Sequence, residues 1–374
     1  MTRFVGNLLR RDEVPRDSNS APDSYYAPNT LLFISESSMA GVVPNKSIKT
    51  DGSKEPLPPP SPTYILRGAE SPVTALEYTE PALGTLLSGC QNGTIHLWDL
   101  NSRRNEETFD AHNGKPVLYL KSEDASRLLM SHGRDGYFKF WKNVGPEFEL
   151  DGKIEAEGDG FCPPVPLKQK KLTRLIALPG SDSVVNIFEL NSRSLVRTLS
   201  SGASSGELGL CMCMCAIPNL AGNDESLLVG YESGKMILWD IGTGKIQHQA
   251  PVHADAVMCM AYSSPEFNKG LSGSVDEMLV AWSITEDGEI QTVNKLESTN
   301  AGFNDVKIRP DDRIAVTAGW DNNIRVFNMK SLRPLAILAY HRDSVHCVEF
   351  SENYMLAAGS KDHLISVWDI YRQV

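Results

Sequence analysis

Three histidines precede an aspartate and a tryptophan at repeating distances. His112 stands 23 residues before Asp135 and 29 before Trp141, and His253 keeps the same distances to Asp276 and Trp282. In both cases a serine, Ser131 or Ser272, follows the histidine by 19 residues. A third copy runs His341, Asp362 and Trp368, with Ala358 where the serine would sit. Histidine beside a carboxylate is the residue pair of acid–base chemistry. Recurrence at a fixed repeat position speaks for a structural role instead. An imidazole or indole N–H taken out of water requires an acceptor, and aspartate and serine supply one. These residues are therefore expected to form buried hydrogen-bond chains. The chains should be complete at His112–Ser131–Asp135–Trp141 and His253–Ser272–Asp276–Trp282, and partial at His341–Asp362–Trp368.

Other residues with chemical potential carry less. Gly270–Leu271–Ser272–Gly273 continues into Ser274, so the Gly-x-Ser-x-Gly elbow of a serine nucleophile is not formed. Gly242–Thr243–Gly244–Lys245 has too few residues ahead of its lysine to cradle a phosphate. Cys211, Cys213 and Cys215 alternate with Met212 and Met214, which in a strand places three thiols on one face. A flat strand cannot wrap three ligands around a tetrahedral ion, and no histidine is near, so a buried inner strand accounts for them better. The residues point to no catalytic, metal or cofactor site, and the expectation is a non-enzyme.

What positions these residues is a repeat. An aspartate precedes an aromatic by six residues at Asp135/Trp141, Asp182/Phe188, Asp276/Trp282, Asp321/Phe327 and Asp362/Trp368. Asn92/Trp98 and Ser233/Trp239 keep the aromatic and replace the acid. The seven anchors are spaced 43, 47, 51, 43, 45 and 41 residues apart, the period of four-stranded blades. An all-β, seven-bladed propeller follows, spanning 62–374. The seventh blade ends almost at once after Trp368–Asp369–Ile370 and lacks a fourth strand. Tyr64–Ile65–Leu66 resembles an outer strand with no blade of its own and is expected to close the ring by completing the last blade, which hides two open edges. Residues 1–61 read as a disordered Pro/Ser-rich extension, with Leu31–Leu32–Phe33–Ile34 as its apolar patch. Between the second and third anchors, Cys162–Pro163–Pro164–Val165–Pro166 argues against an ordinary central strand and for a loop entering an irregular blade, followed by Lys168, Lys170 and Lys171 as a solvated face.

Charge narrows the partners. Thirty-six basic against 47 acidic residues give −11, which disfavours a phosphate backbone, and no apolar run approaches a membrane span. Seven cysteines without framework spacing fit a reducing compartment, and the first residues do not resemble a secretory signal, so an intracellular, monomeric scaffold without nucleic acid or membrane contact is expected. Binding should use the residues just before the turn aspartates, which ought to face the narrower end of the ring: Gln91, Arg134, Ser181, Glu232, Val275, Trp320 and Lys361. Trp320, an aromatic flanked by charge, has the composition of an interface hot spot; Arg134, Glu232, Lys361 and Gln91 complete the candidate set.

The seven in-phase units resemble WD40 repeats. Leu66–Arg67–Gly68 with Ser71–Pro72–Val73, Gly230–Tyr231–Glu232–Ser233–Gly234, Ala318–Gly319–Trp320–Asp321 with Ile324–Arg325–Val326–Phe327, Pro334–Leu335–Ala336–Ile337–Leu338 and Leu356–Ala357–Ala358–Gly359–Ser360–Lys361–Asp362 are similar to the G-protein beta-subunit-like protein 1 family, related to the ASTRA-associated WD40 proteins of fungi. The resemblance covers the propeller and not the first 60 residues. It implies a non-catalytic adaptor of cytoplasm and nucleus, connected with the triple-T co-chaperone and the maturation and stability of phosphatidylinositol-3-kinase-related kinases. Two rivals fit the residues less well. A G-protein beta-like signalling subunit needs an N-terminal helix for its gamma partner, and repeated prolines with no heptads stand there. A substrate receptor of a cullin ubiquitin ligase usually carries Arg or Lys two residues after Trp-Asp, where this chain has Asn101, Gly242 and Tyr371.

Overall fold

The computed structural model describes residues 60–79, 84–123, 128–144, 147–158, 160–168, 174–202, 205–218 and 225–371. These residues form seven four-stranded antiparallel sheets, each a blade, with a four-residue helix, Ser205–Leu208, leading into the fourth. All seven aromatic anchors lie on third strands, as in Thr94–Asp99, Tyr137–Val144 and Ile365–Asp369. First strands of neighbouring blades stand side by side: Val73–Tyr78 touches both Val117–Glu123 and Val345–Phe350.

Sequence composition explains the layering. Second strands such as Thr85–Cys90 and Ser226–Tyr231 are small or apolar and buried along almost their whole length. Fourth strands such as Arg104–Asp110 alternate polar residues toward water. The core is thus divided into slabs between neighbouring blades rather than gathered at a centre. Ala75, Leu87 and Ile95 of blade one meet Val117, Leu120, Leu129 and Trp141 of blade two, and a comparable cluster fills each of the other junctions. Glycine at the end of a second strand allows the approach: a Cβ on Gly89 or Gly359 would lie 2.5 Å from Val117 or Val73 of the following blade.

The ring closes as the sequence requires. Tyr64, Ile65 and Leu66 pair antiparallel with Val367, Ser366 and Ile365, giving the last sheet its fourth strand. Leu66 packs with Ile365 and Val367 against Val73, Leu86 and Trp98 of blade one. The expected disordered extension lies, up to residue 59, outside the described residues, together with Leu31–Ile34; Lys170 and Lys171 lie outside them as well.

Two expectations need correction. Val165–Lys168 is a strand, the first of blade three, although it contains Pro166. A first strand pairs on one side only, so the missing N–H of proline can face the unpaired edge. The three cysteines also do not share one face. The pairing slips between Cys211 and Cys213, opposite Tyr231 and Gly230, and this bulge reverses the alternation. Cys211 consequently packs toward blade three, 3.5 Å from the sulfur of Cys162, whereas Cys213 packs toward blade five and donates to the Val257 carbonyl at 3.2 Å.

Candidate functional site

The blade-two chain is complete. His112 Nδ1 meets Asp135 at 2.7 Å, its Nε2 meets Ser131 Oγ at 2.8 Å, and Trp141 Nε1 donates to the same oxygen at 2.8 Å. Lys139, buried on the third strand, adds bonds to Asp135 at 2.7 Å and to the Ala111 carbonyl at 2.6 Å. Burial opposes ionisation of Asp135, but the bonds from His112 and Lys139 outweigh it and hold the carboxyl down at about 2.

Blade seven is complete too, contrary to expectation. The hydroxyl comes from Ser366, which sits directly opposite Ala358 across the sheet. His341 Nε2 lies 2.7 Å from Ser366 Oγ, Trp368 Nε1 donates to it at 2.8 Å, and His341 Nδ1 meets Asp362 at 3.0 Å. With the carboxylate on Nδ1, the imidazole donates there and accepts from the serine at Nε2.

Blade five is the converse: the residues are present and the chain is broken. His253 Nε2 meets Ser272 Oγ at 2.8 Å, but its Nδ1 finds no partner among the described residues, nor does Trp282 Nε1. The residue opposite the aromatic anchor is leucine in blades one, two, four and seven (Leu86, Leu129, Leu227, Leu356) and Gly270 in blade five. A Cβ on Gly270 would lie 2.2 Å from the indole, so the Trp282 ring fills that space. It stacks on Tyr262 at 5.7 Å, and its N–H is drawn away from Ser272.

Blade six lacks the histidine and replaces it with a cation. Arg325 clamps both oxygens of Asp321 at 2.9 and 2.6 Å, and Asn300 donates to the same carboxylate at 2.7 Å. Lys139, Arg325 and Ser366 all stand four residues after a turn aspartate, a regularity in the sequence that the histidine pattern obscured.

The channel wall holds a second set of residues that the repeat pattern does not reveal. Glu77, Lys121, Lys307 and Glu349 occupy one level of the first strands, opposite Leu87, Met130, Val316 and Ala357. Lys307 pairs with Glu349 and Lys121 with Glu77, both at 2.6 Å, linking blades six to seven and one to two. The two carboxylates thereby face each other across the closing seam. Burial pushes the Glu77 carboxyl up to about 7, opposed by Lys121 and reinforced by Glu349. Val165, Cys215 and Ala261 complete the level on the apolar side of the ring.

The candidate binding residues fall at equivalent points of one rim. The backbone N–H of Gln91, Arg134, Glu232, Trp320 and Lys361 each bonds the carbonyl just before its own blade's first strand, at Pro72, Pro116, Leu210, Gly302 and Ser344. Their side chains differ. Gln91 is exposed. Arg134 lies 4.2 Å above the ring of Phe161, and Glu232 accepts from the Leu210 amide at 3.2 Å. Lys361 is 4.0 Å from Asp343. Trp320 is half-buried: its ring rests on Gly302, and its N–H donates to Asn304 at 2.7 Å, which in turn bonds the Val345 carbonyl of blade seven at 2.7 Å. One side of the indole is used in packing, and the side chain as a whole keeps partial exposure.

Comparison with known proteins agrees with this architecture. The WD domain, G-beta repeat family matches residues 60–99, 290–328 and 332–369. The mouse protein "Guanine nucleotide-binding protein subunit beta-like protein 1" is 37% identical, over 84% of this chain and 97% of its own length. "ASTRA-associated protein 1" of Schizosaccharomyces pombe is 26% identical over 83% of this chain and 99% of its own, and that of Aspergillus flavus 25% identical over 84% and 98%. A propeller of WD40 repeats is a scaffold that presents its faces to protein partners. The chain belongs to the guanine nucleotide-binding protein subunit beta-like protein 1 family of WD40-repeat proteins.

Proposed function

We propose that the protein is a non-catalytic adaptor that assists the triple-T co-chaperone in the maturation and stability of phosphatidylinositol-3-kinase-related kinases, in cytoplasm and nucleus. The observation that carries this reading is the match to fungal proteins named for association with ASTRA, which extends through nearly their whole length. The side-chain chemistry supports it. The His–Asp sets of blades two and seven are satisfied internally by serine and tryptophan, which suits a role in holding the blades rather than in turnover. Partners are assigned to the rim carrying Trp320, Arg134, Lys361, Glu232 and Gln91, whose regular placement presents five different side chains on one rigid ring. The test is complementation. In cells depleted of the protein, wild type should restore the level of these kinases, and a folded Trp320→Ala, Arg134→Glu variant should not. Unchanged kinase levels on depletion would refute the adaptor reading.

A further inference from the structure

Blade five differs from its neighbours at the carboxylate of its turn. Asp135 is capped by Lys139 and His112, Asp321 by Arg325 and Asn300, and Asp362 by His341 and the Arg342 amide. Asp182 is exposed and solvated. Asp276 is half-buried, receives only the Met278 amide at 2.9 Å, and forms no ion pair among the described residues. Four residues on, where blades two and six carry Lys139 and Arg325, blade five carries Val280. His253, 7% exposed, leaves unpaired the ring nitrogen that in blades two and seven meets the turn aspartate.

The surroundings add negative charge and an aromatic face. Glu277 follows Asp276, and Asp255 lies two residues after His253 in the loop between the strands Lys245–Pro251 and Val257–Tyr262. The loop Ser298–Gly302 is bonded to both sides: Ser298 and Gly302 donate to the carbonyls of Glu277 and Asp276 at 2.7 and 3.0 Å, and Trp320 donates to Gly302 at 3.2 Å. Burial holds the His253 ring down at about 4, so at neutral pH it contributes no positive charge.

We propose that this corner of the rim, Asp276 with His253, Glu277, Asp255 and Trp320, is a socket for a lysine or arginine side chain of a partner protein. The incoming cation takes the place that Lys139 and Arg325 fill within their own blades, and its stem lies along Trp320. The inference rests on the adaptor reading, for which it names the partner's chemistry.

Fluorescence anisotropy with a labelled Gly-Arg-Gly-Lys-Gly peptide, and a Gly-Gln-Gly-Gln-Gly control, tests it on the full chain. Wild type should bind the basic peptide alone, and added salt should weaken binding. Asp276→Asn and Val280→Lys should each weaken it at least tenfold, the second because its lysine fills the socket from within, as Lys139 does. Asp182→Asn, which removes an exposed acid from another blade, should leave binding unchanged. Equal binding to wild type, Asp276→Asn and Val280→Lys, or no binding by wild type at millimolar peptide, would overturn the socket. Recovery of the co-chaperone from extract alongside a negative peptide result would leave the adaptor reading standing and remove only the socket.

Discussion

Replacing Ser366 by alanine tests whether the hydrogen-bond chain of blade seven holds the closing blade together. The serine is fully buried, accepts from Trp368 Nε1 and donates to His341 Nε2. Its removal leaves a buried N–H and a buried ring nitrogen without partners, each costing about 1–3 kcal/mol, so Ser366→Ala should lose about 2–6 kcal/mol. At about 2 °C per kcal/mol for a domain of this size, the melting temperature falls by roughly 4–12 °C. The register supplies a stricter test. Ala358 lies directly opposite Ser366, at the position where blade two carries Ser131. The double variant Ala358→Ser, Ser366→Ala should therefore regain at least half of the loss, with its hydroxyl reaching the same two rings from the neighbouring strand. Thermal melting of wild type, single and double variants decides the matter. A loss under about 0.5 kcal/mol for the single variant, or a double variant no better than the single, would refute the reasoning.

Three further predictions concern the ring. Glu77 has its folded-state value raised from 4.5 to about 7, so its stabilising contribution is present in full below about 4.5 and is lost as pH rises through 7. Wild type should lose stability between pH 5 and 8, and Glu77→Gln should flatten that slope in melting curves, a result that identical slopes would exclude. Gly302 has φ +89°, and a Cβ there would lie 2.1 Å from the Trp320 ring. Gly302→Ala should cost about 2–3 kcal/mol and change the indole emission of Trp320, compared against Trp320→Phe; unaltered emission would contradict the packing described. Leu66 is 1% exposed at the closing strand, and Leu66→Ala should cost about 3 kcal/mol in denaturant unfolding and speed proteolysis near residue 62. An unchanged digestion rate would count against closure by this strand.

The architecture was legible because propeller blades write it twice, once in the aromatic anchors and once in the orphan strand Tyr64–Leu66. Both signals depend on period and hydrophobicity, which survive in a single sequence. What escaped depends on pairing across strands. Ser366 substitutes for the missing serine only because the register sets it opposite Ala358. The break in blade five follows from Gly270 opposite Trp282, a relation invisible before the strands are aligned. The bulge after Cys211 overturned a period-2 argument about the cysteines. The four charged residues of the channel come from four different blades and share a level without sharing a motif. On the rim the positions followed from the repeat, whereas the packing of Trp320 on Gly302 and the turn of Glu232 toward Leu210 depend on loops that the repeat does not specify.

Affinity purification from cell extract, with mass spectrometry of the bound proteins, tests the central claim most directly. Wild type should recover the triple-T co-chaperone and its client kinases, and a folded Trp320→Ala, Arg134→Glu variant should lose them. Recovery by both proteins would keep the adaptor and contradict the assignment of the rim. Absence of these partners from the wild-type sample would contradict the adaptor itself.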